Sequence, residues 1–384
     1  TRGVADSGFP PTAKPHKGGL AWDGDDPEMG ALASQGFHSL SAADVDLDGR
    51  QEIVYGSATV DNDGTLMYSS SAVTPPEASS PGVDRKLGHG DAMHVTDITP
   101  DNPGLEIYTV HEGAGSAYGW ALRDAATGSI LDGAFTGRDT GRGMIGDIDT
   151  TRPGYEYWHS TGTGEVPTPG TPGTNFSIRW TPDMTTEIIA GFEEDDADTY
   201  EDVRIENGRG EVLRTLEGTR SNNSNKGTPG LAADVLGDWR EELLVRDVES
   251  TEIRIYMATD LTDRKLTTLL HDPQYRVEVA RQNTTYNQPS YTSYMLTSDI
   301  DYADVPVYTT PVTPTEPEFV DNPGRGRDKY TIPEAEHVIY YVNGEPAAAG
   351  FYPEKRTVTI TAIADPWYRT DGTSSWSHTF RAGR

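Results

Sequence analysis

Four stretches of this chain carry residue types suited to proton transfer, anion clamping or sugar recognition. The loop RSNNSNKGTPGL sets Lys226 among Asn222, Asn223 and Asn225, next to Pro229. Lysine is scarce here (Lys14, Lys17, Lys86, Lys226, Lys265, Lys329, Lys355). A lone amine among amides can act as a base or hold an anion, although a flexible surface loop would look the same. TGRDTGRGM carries Arg138 and Arg142, whose planar fork matches a carboxylate, or which form a surface charge pair. GHGDAMHVTD offers His89, Asp91 and His94, a spacing that suits a transition metal, sugar hydroxyls or a plain loop. His111 and Glu112 in VHEG are a weaker pair of the same kind. HDPQYRVEVARQNTTYNQPSY joins His271, Tyr275, Arg276, Gln282, Asn283, Tyr286, Asn287 and Gln288. Rings stack on sugar faces and amides bond hydroxyls, so this stretch suits carbohydrate; structural tyrosines on a closing strand are the alternative.

One acidic pattern occurs four times: AADVDLDGRQEIVY, VTDITPDNPGLEIY, IGDIDTTRPGYEYW and AADVLGDWREELLV. Each opens with an Asp (Asp44, Asp97, Asp147, Asp234), turns through Asp, Gly or Pro, and closes on Glu52, Glu106, Glu156 or Glu242. Several oxygens on a tight loop suit a hard cation that tolerates irregular geometry, and Ca²⁺ is the expected ion. Asp44, Asp46, Asp48 and Glu52 make the sharpest candidate; the spacing to Glu52 is too short for an EF-hand. The other expected ligands are Asp101, Asp149 and Asp238. The fourth copy lacks the middle acid, with Glu241 nearby. Metal-free Asp-Gly turns are the alternative.

These residues need elements to position them. The chain has 384 residues, a net charge of −30, 34% apolar residues, 41 Gly and 26 Pro, which favours short strands and turns over long helices. The first three acidic copies recur near every 50 residues, the period of a propeller blade. Segments such as EIVYGSATV, EIYTVHE and EIRIYMATD read as strands, and RDAATGSIL as a hairpin. The expected fold is all-β, a calcium-stabilised β-propeller over 1–300. A Thr/Pro-rich linker over 301–334 and a small β module over 335–384 follow. That module resembles the stalk-like β modules at the C-termini of bacterial surface enzymes. Few blades are visible and the chain begins at Thr1, so it is expected to be the C-terminal part of a longer, trimmed protein. Cysteine is absent, which excludes disulfides and thiol chemistry. The acidity excludes nucleic acid as a partner. No apolar run reaches the length of a membrane span, and G-x-S-x-G, P-loop and H-E-x-x-H motifs are missing.

LGHGDAMHVTDI, GRGMIGDID, NNSNKGTPGLAADVLGDWREELL and HDPQYRVEVARQNTTYNQPSYTSY together resemble the rhamnogalacturonan lyases of polysaccharide lyase family 11, over roughly residues 20–300. The resemblance implies an eight-bladed propeller with several bound calcium ions, only part of it in this chain. It also implies cleavage of the rhamnogalacturonan I backbone of pectin. Arg142, Lys226 and Tyr286 align with the family's proposed catalytic cleft, with His89, His94, Asn222, Asn223, Tyr275, Asn283 and Asn287 expected to touch substrate. A secreted or cell-surface bacterial monomer is expected.

Such a lyase removes the C5 proton of galacturonate and expels the 4-O-linked rhamnose. The carboxylate must be neutralised as enolate-like charge develops. In the galacto configuration the base and the leaving-group acid approach from opposite faces. Lys226 is the expected base, because Arg resists deprotonation. Arg142 would clamp the carboxylate, and Tyr286 would protonate the leaving oxygen or orient the sugar; the Lys226 and Arg142 roles are interchangeable at this level. Two other readings compete: a non-catalytic calcium propeller that binds carbohydrate or protein, and a hydrolase using paired carboxylates.

Overall fold

The computed structural model describes residues 29–384 apart from 114, 161, 164–171, 192–199, 283–285, 287, 302–304, 306–309, 323–327, 354–355, 365–367 and 381–384. The chain divides into two compact units, Thr1–Pro306 and Val307–Arg384. Among the described residues, no helix is long and apolar enough to cross a membrane.

The first unit is a series of antiparallel sheets. The first sheet is a meander of β1 (Gly36–Ala43), β2 (Glu52–Gly56), β3 (Ala58–Val60) and β4 (Leu66–Ser69). A hairpin of β5 (Ser71–Val73) and β6 (Asp84–Lys86) leads to the second sheet: β7 (Gly90–Thr96), β8 (Glu106–His111), β9 (Trp120–Asp124) and β10 (Ile130–Ala134). The third has β11 (Gly143–Gly146), β12 (Glu156–His159) and β13 (Gly162–Thr163). The fourth has β14 (Phe176–Ile178), β15 (Glu187–Ala190), β16 (Val203–Glu206) and β17 (Val212–Leu216).

In the fifth sheet β18 (Thr219–Arg220) and β19 (Leu231–Ala233) pair with β20 (Glu242–Asp247), whose other edge takes β21 (Ile253–Tyr256). Arg220 opposes Arg246 and Leu231 opposes Leu244. β18 and β19 are therefore one strand interrupted by residues 221–230.

Cores form between consecutive sheets. Val45 and Val54 of the first pack on Met93, Val95 and Ile107 of the second. Tyr108 and Val110 meet Ile145 and Tyr155, Trp158 meets Ile188, and Phe176, Ile178 and Ile205 meet Leu243 and Val245. Burying each such side chain contributes about 1.5–3 kcal/mol, and this apolar layering fixes the spacing of the sheets.

A polar hub ties the first strands together. Helix α1 (Pro273–Arg281) begins at Asp272, whose carboxylate caps Gln274 N, with proline at the first helical position. The helix is buried although its inward residues are polar, because each one brackets a strand. Gln274 donates to Val95 O (2.8 Å), Gln282 exchanges bonds with the Ala232 backbone (2.6 and 2.9 Å), and Arg281 donates to Ser39 Oγ (2.7 Å). The returning segment continues the bracketing: Thr96 donates to Thr292 O (2.7 Å) and Tyr291 to Ile145 O (2.9 Å).

The second unit holds β22 (Thr310–Val312), β23 (Glu318–Val320), β24 (Lys329–Ile332), β25 (Val338–Val342), β26 (Glu345–Ala347), β27 (Gly350–Pro353), β28 (Thr357–Ala364), β29 (Tyr368–Thr370) and β30 (Ser375–Thr379). Tyr330, Ile332, Tyr340, Val358, Ile360 and Phe380 form its core. The turn at Asn343-Gly344 lies in the left-handed region, as a two-residue hairpin requires. β22, β23 and β24 lie in the stretch expected to be a linker. Thr/Pro-rich sequence favours extended backbone, and here β22 pairs in parallel with β29, and β24 pairs antiparallel with β27.

Candidate functional site

The first strand of each sheet carries different chemistry at its two ends. At the starting end stand His38 in β1, His89 before β7, Arg142 before β11, Asn175 before β14, and the Lys226 loop before β19. At the finishing end stand the acidic loops after Ala43, Thr96, Gly146 and Ala233. The hub begins near the acidic end, where Leu269 N donates to Asp234, and Tyr286 stands at the other end beside His38.

Lys226, Tyr286 and Arg142 come together. Lys226 Nζ lies 4.5 Å from the Tyr286 ring centroid, and the Tyr286 ring stacks on His38 at 4.2 Å. Arg142 Nη1 donates to Asn175 Oδ1 (3.1 Å), Asn225 O (3.2 Å) and Lys226 O (3.5 Å). The arginine expected to clamp a carboxylate thus also grips the lysine loop. Arg246 holds the base of that loop, donating to Asn222 Oδ1 (3.0 Å) and Ser221 O (2.9 Å). Asn222 also pairs with Thr228 across the loop. Asn223 (φ 65°) and Ser224 (φ 50°) adopt left-handed conformations before the short turn Ser224–Lys226.

Beside Tyr286 is a second cluster. His89 Nδ1 contacts Gly36 O, an atom that only accepts, so Nδ1 carries a proton and Nε2 is left to face the cluster. That Nε2 faces His38 Nε2 at 3.2 Å and Glu112 Oε2 at 3.4 Å. Asp91 Oδ1 lies 3.4 Å from His38 Nε2, buried and without a hydrogen bond. Electron-rich atoms converge in this way around a cation or a shared proton. The pKa of Glu112 is raised by burial and by Asp91, partly offset by His89. His38, His89 and Glu112 place ligand atoms within 4.8 Å of one another, as do Asp44, Asp46 and Asp48. Among the described residues these are the two groups of three or more such ligands.

Other expected site residues have structural tasks. His94 is fully buried, bonds Gly143 O (2.9 Å) and packs against Tyr108 and Tyr291, and burial lowers its pKa to about 4. Tyr275 is fully buried, donates to Glu241 Oε1 (2.6 Å) and accepts from Asp234 N. Neither reaches the cluster, since each points inward from its element. Asn283 and Asn287 lie outside the described residues.

The acidic loops share one frame. The closing Glu reaches back across the loop, and its Oε2 accepts the N–H groups that follow the first position. Glu52 takes Val45, Glu106 takes Ile98 and Thr99, Glu156 takes Ile148 and Asp149, and Glu242 takes Val235 and Leu236. Burial is the main cause lifting Glu106 and Glu156 to about 7 and Asp97 to about 6. Asp44 Oδ1 and Asp147 Oδ1 are buried with no hydrogen bond, as oxygens awaiting a cation would be. Asp234 differs: its oxygens accept from Gly237 N, Asp238 N, Thr268 Oγ1 and Leu269 N. Asp238 pairs with Arg240 (2.7 Å), Asp149 accepts from Thr151, and Asp101 does not join a group of three ligands, so later loops would need backbone oxygens or water to complete a cation shell.

A fifth loop with this frame follows β14. Glu187 Oε2 accepts from Trp180 N (2.8 Å) and Thr181 N (3.0 Å), but Arg179 stands at the first position. The spacing from Arg179 to Glu187 equals that from Asp44 to Glu52 and was the available signal; the reversed charge at the first position hid it.

The fold and this site define a member of a lyase family: residues 17–306 match the C-terminal domain of rhamnogalacturonan lyase family 11, and the chain belongs to that family. It is similar to the rhamnogalacturonan endolyase YesW of Bacillus subtilis (strain 168), 44% identical over 271 residues, covering 69% of this chain and 40% of YesW. The rhamnogalacturonan exolyase YesX of the same organism is 42% identical over 294 residues, covering 72% of this chain and 45% of YesX. The crystal structure of YesW superposes with a TM-score of 0.62 at 41% identity, over 73% of this chain and 45% of that one. The Bacillus licheniformis rhamnogalacturonan lyase PL11 gives 0.63 at 41% identity, with the same coverages. The chain spans less than half the length of the curated relatives it matches.

Proposed function

We propose that this chain carries the cleft of a rhamnogalacturonan lyase that breaks the rhamnogalacturonan I backbone by β-elimination at galacturonate. The observation that carries the reading is the meeting of Lys226, Tyr286 and Arg142 beside His38, His89 and Glu112. In this reading the Lys226 amine takes the C5 proton. The C5–H electron pair becomes the C4=C5 double bond, the C4–O bond breaks, and the rhamnose oxygen leaves with a proton from the Tyr286 hydroxyl or from solvent. Tyr286 orients the sugar between the lysine and the histidines. His38, His89, Asp91 and Glu112 would hold a divalent cation, which supplies positive charge to the uronate carboxylate when bound.

The reading extends to the scaffold. The five sheets are consecutive blades of a β-propeller, and the acidic loops that begin with Asp take calcium. The buried, unbonded Asp44 and Asp147 oxygens and the Asp44/Asp46/Asp48 group support this. A polymeric substrate argues for an extracellular, monomeric enzyme.

The test is growth of ultraviolet absorbance on rhamnogalacturonan I, because the unsaturated product is conjugated and a hydrolysis product is not. Lys226→Met in folded, calcium-loaded protein is expected to lower the rate about 10²–10⁴-fold. Near-wild-type cleavage removes Lys226 as the base. No absorbance growth from the complete natural polypeptide favours a carbohydrate-binding propeller.

A further inference from the structure

We propose that Asn175 is a positioning residue, which together with Arg142 forms a clasp that holds the Lys226 loop over the cleft. The inference rests on the lyase reading above and names a residue outside the sequence motifs that suggested it. Asn175 precedes β14, Arg142 precedes β11, and the loop they grip belongs to the fifth sheet. Three successive sheets therefore meet at one peptide. Asn225 O accepts from Arg142 Nη1 (3.2 Å) and from Asn175 Nδ2 (3.4 Å). Asn175 Oδ1 in turn accepts from Arg142 Nη1 (3.1 Å). An amide is suited to this place, because it offers an acceptor to the arginine and a donor to the carbonyl.

The loop needs such a grip. Asn223 and Ser224 both have positive φ, and Gly227 follows at φ 59°. Side-chain-bearing residues persist in that region only where the surroundings over-determine them. Arg246 fixes the base of the loop, while the clasp fixes its tip, one residue before Lys226. Arg142 at the Lys226 carbonyl and the Tyr286 ring at its amine face Lys226 from neighbouring elements.

The experiment uses the complete natural polypeptide that carries this chain, loaded with calcium, on rhamnogalacturonan I. Asn175→Ala, Asn175→Asp and Lys226→Met are compared with wild type, and kcat and KM are read separately across pH. Asn175→Ala loses both bonds; kcat is expected to fall about 10–100-fold, because a displaced base misses its proton. KM should change less, since transition-state geometry is lost rather than uniform binding. Asn175→Asp keeps the acceptor for Arg142 but turns an oxygen toward Asn225 O, so it is expected to recover only part of kcat. Its added carboxylate favours the ammonium form of a nearby amine, so the acid limb of the kcat profile moves to higher pH. A residue that only stabilised the fold would lower the amount of folded protein and leave kcat per folded molecule unchanged.

Near-wild-type kcat for Asn175→Ala overturns the clasp. So does an Asn175→Asp protein no better than Asn175→Ala with an unmoved acid limb. Should Asn175→Ala fail to fold, Asn175→Asp decides alone. A dead Lys226→Met beside a normal Asn175→Ala removes only the clasp. A fully active Lys226→Met removes Lys226 as the base and the clasp with it, while no absorbance growth from the wild type removes the lyase reading.

Discussion

Two neighbouring loops, 147–156 and 179–187, are built on one frame and carry opposite charges at its first position. Asp147 accepts the Ser298 N–H with one oxygen and leaves the other buried and unbonded. Arg179 instead donates to Ser290 O (3.3 Å) and Tyr155 Oη (3.1 Å), with Glu241 3.8 Å from its guanidinium. Both residues thus fasten the central hub, one by accepting and the other by donating. The first position serves the hub in either case, and in the proposed calcium reading a need for an outside cation attaches only to the acidic version. The arginine loop carries its positive charge covalently.

Removing calcium should separate the two loops most strongly. On chelation, amide exchange is expected to accelerate around 147–156 and stay slow around 179–187. A site held at 1,000 times its Kd loses about 4 kcal/mol of linked stability. Equal acceleration in both loops breaks the contrast. Next in size is Arg179→Met, which strands the buried Glu241 carboxylate. A loss of about 3–5 kcal/mol is expected by chemical denaturation, with or without calcium. Adding Glu241→Gln should restore much of it, and a calcium-rescued Arg179→Met would contradict the reading.

A smaller effect concerns pH. Burial raises Glu187 from 4.5 to about 7. The folded chain therefore keeps a proton that the unfolded chain loses in that window, so this group's contribution is complete below about 4.5 and is lost as pH rises through about 7. Glu187→Gln should flatten the stability profile by roughly 3 kcal/mol across the window. In calcium-loaded protein Glu156→Gln is expected instead to weaken ion binding, seen as a lower chelator midpoint. Smallest is Thr185→Val. The Thr185 hydroxyl lies 2.8 Å from Asp183 Oδ1 and 3.0 Å from Glu187 Oε1, and its loss should cost about 1 kcal/mol in a melt.

How far these features could be read in advance depended on range. The hairpins and acidic loops are local, and their turn residues and closing Glu announce them. That Lys226, Arg142 and Tyr286 meet was legible through long ordered motifs resembling a family. His38 and Asn175 were not, because no local pattern marks them and only the stacking of sheets brings them to the cleft. Tyr275 and His94 misled because spacing does not say which way a side chain points. The stretch 301–334 misled because extended backbone suits a linker and a strand equally.

The interrupted strand of the fifth sheet has a consequence for redesign. Residues 221–230 leave the ladder and return across a single step of the partner strand, at Val245, so pairing on both sides keeps its register. The loop behaves as a cassette. Its sequence between Arg220 and Leu231 can change without re-phasing the sheet, provided that a replacement still offers Arg246 an acceptor at its base and Arg142 and Asn175 a carbonyl at its tip.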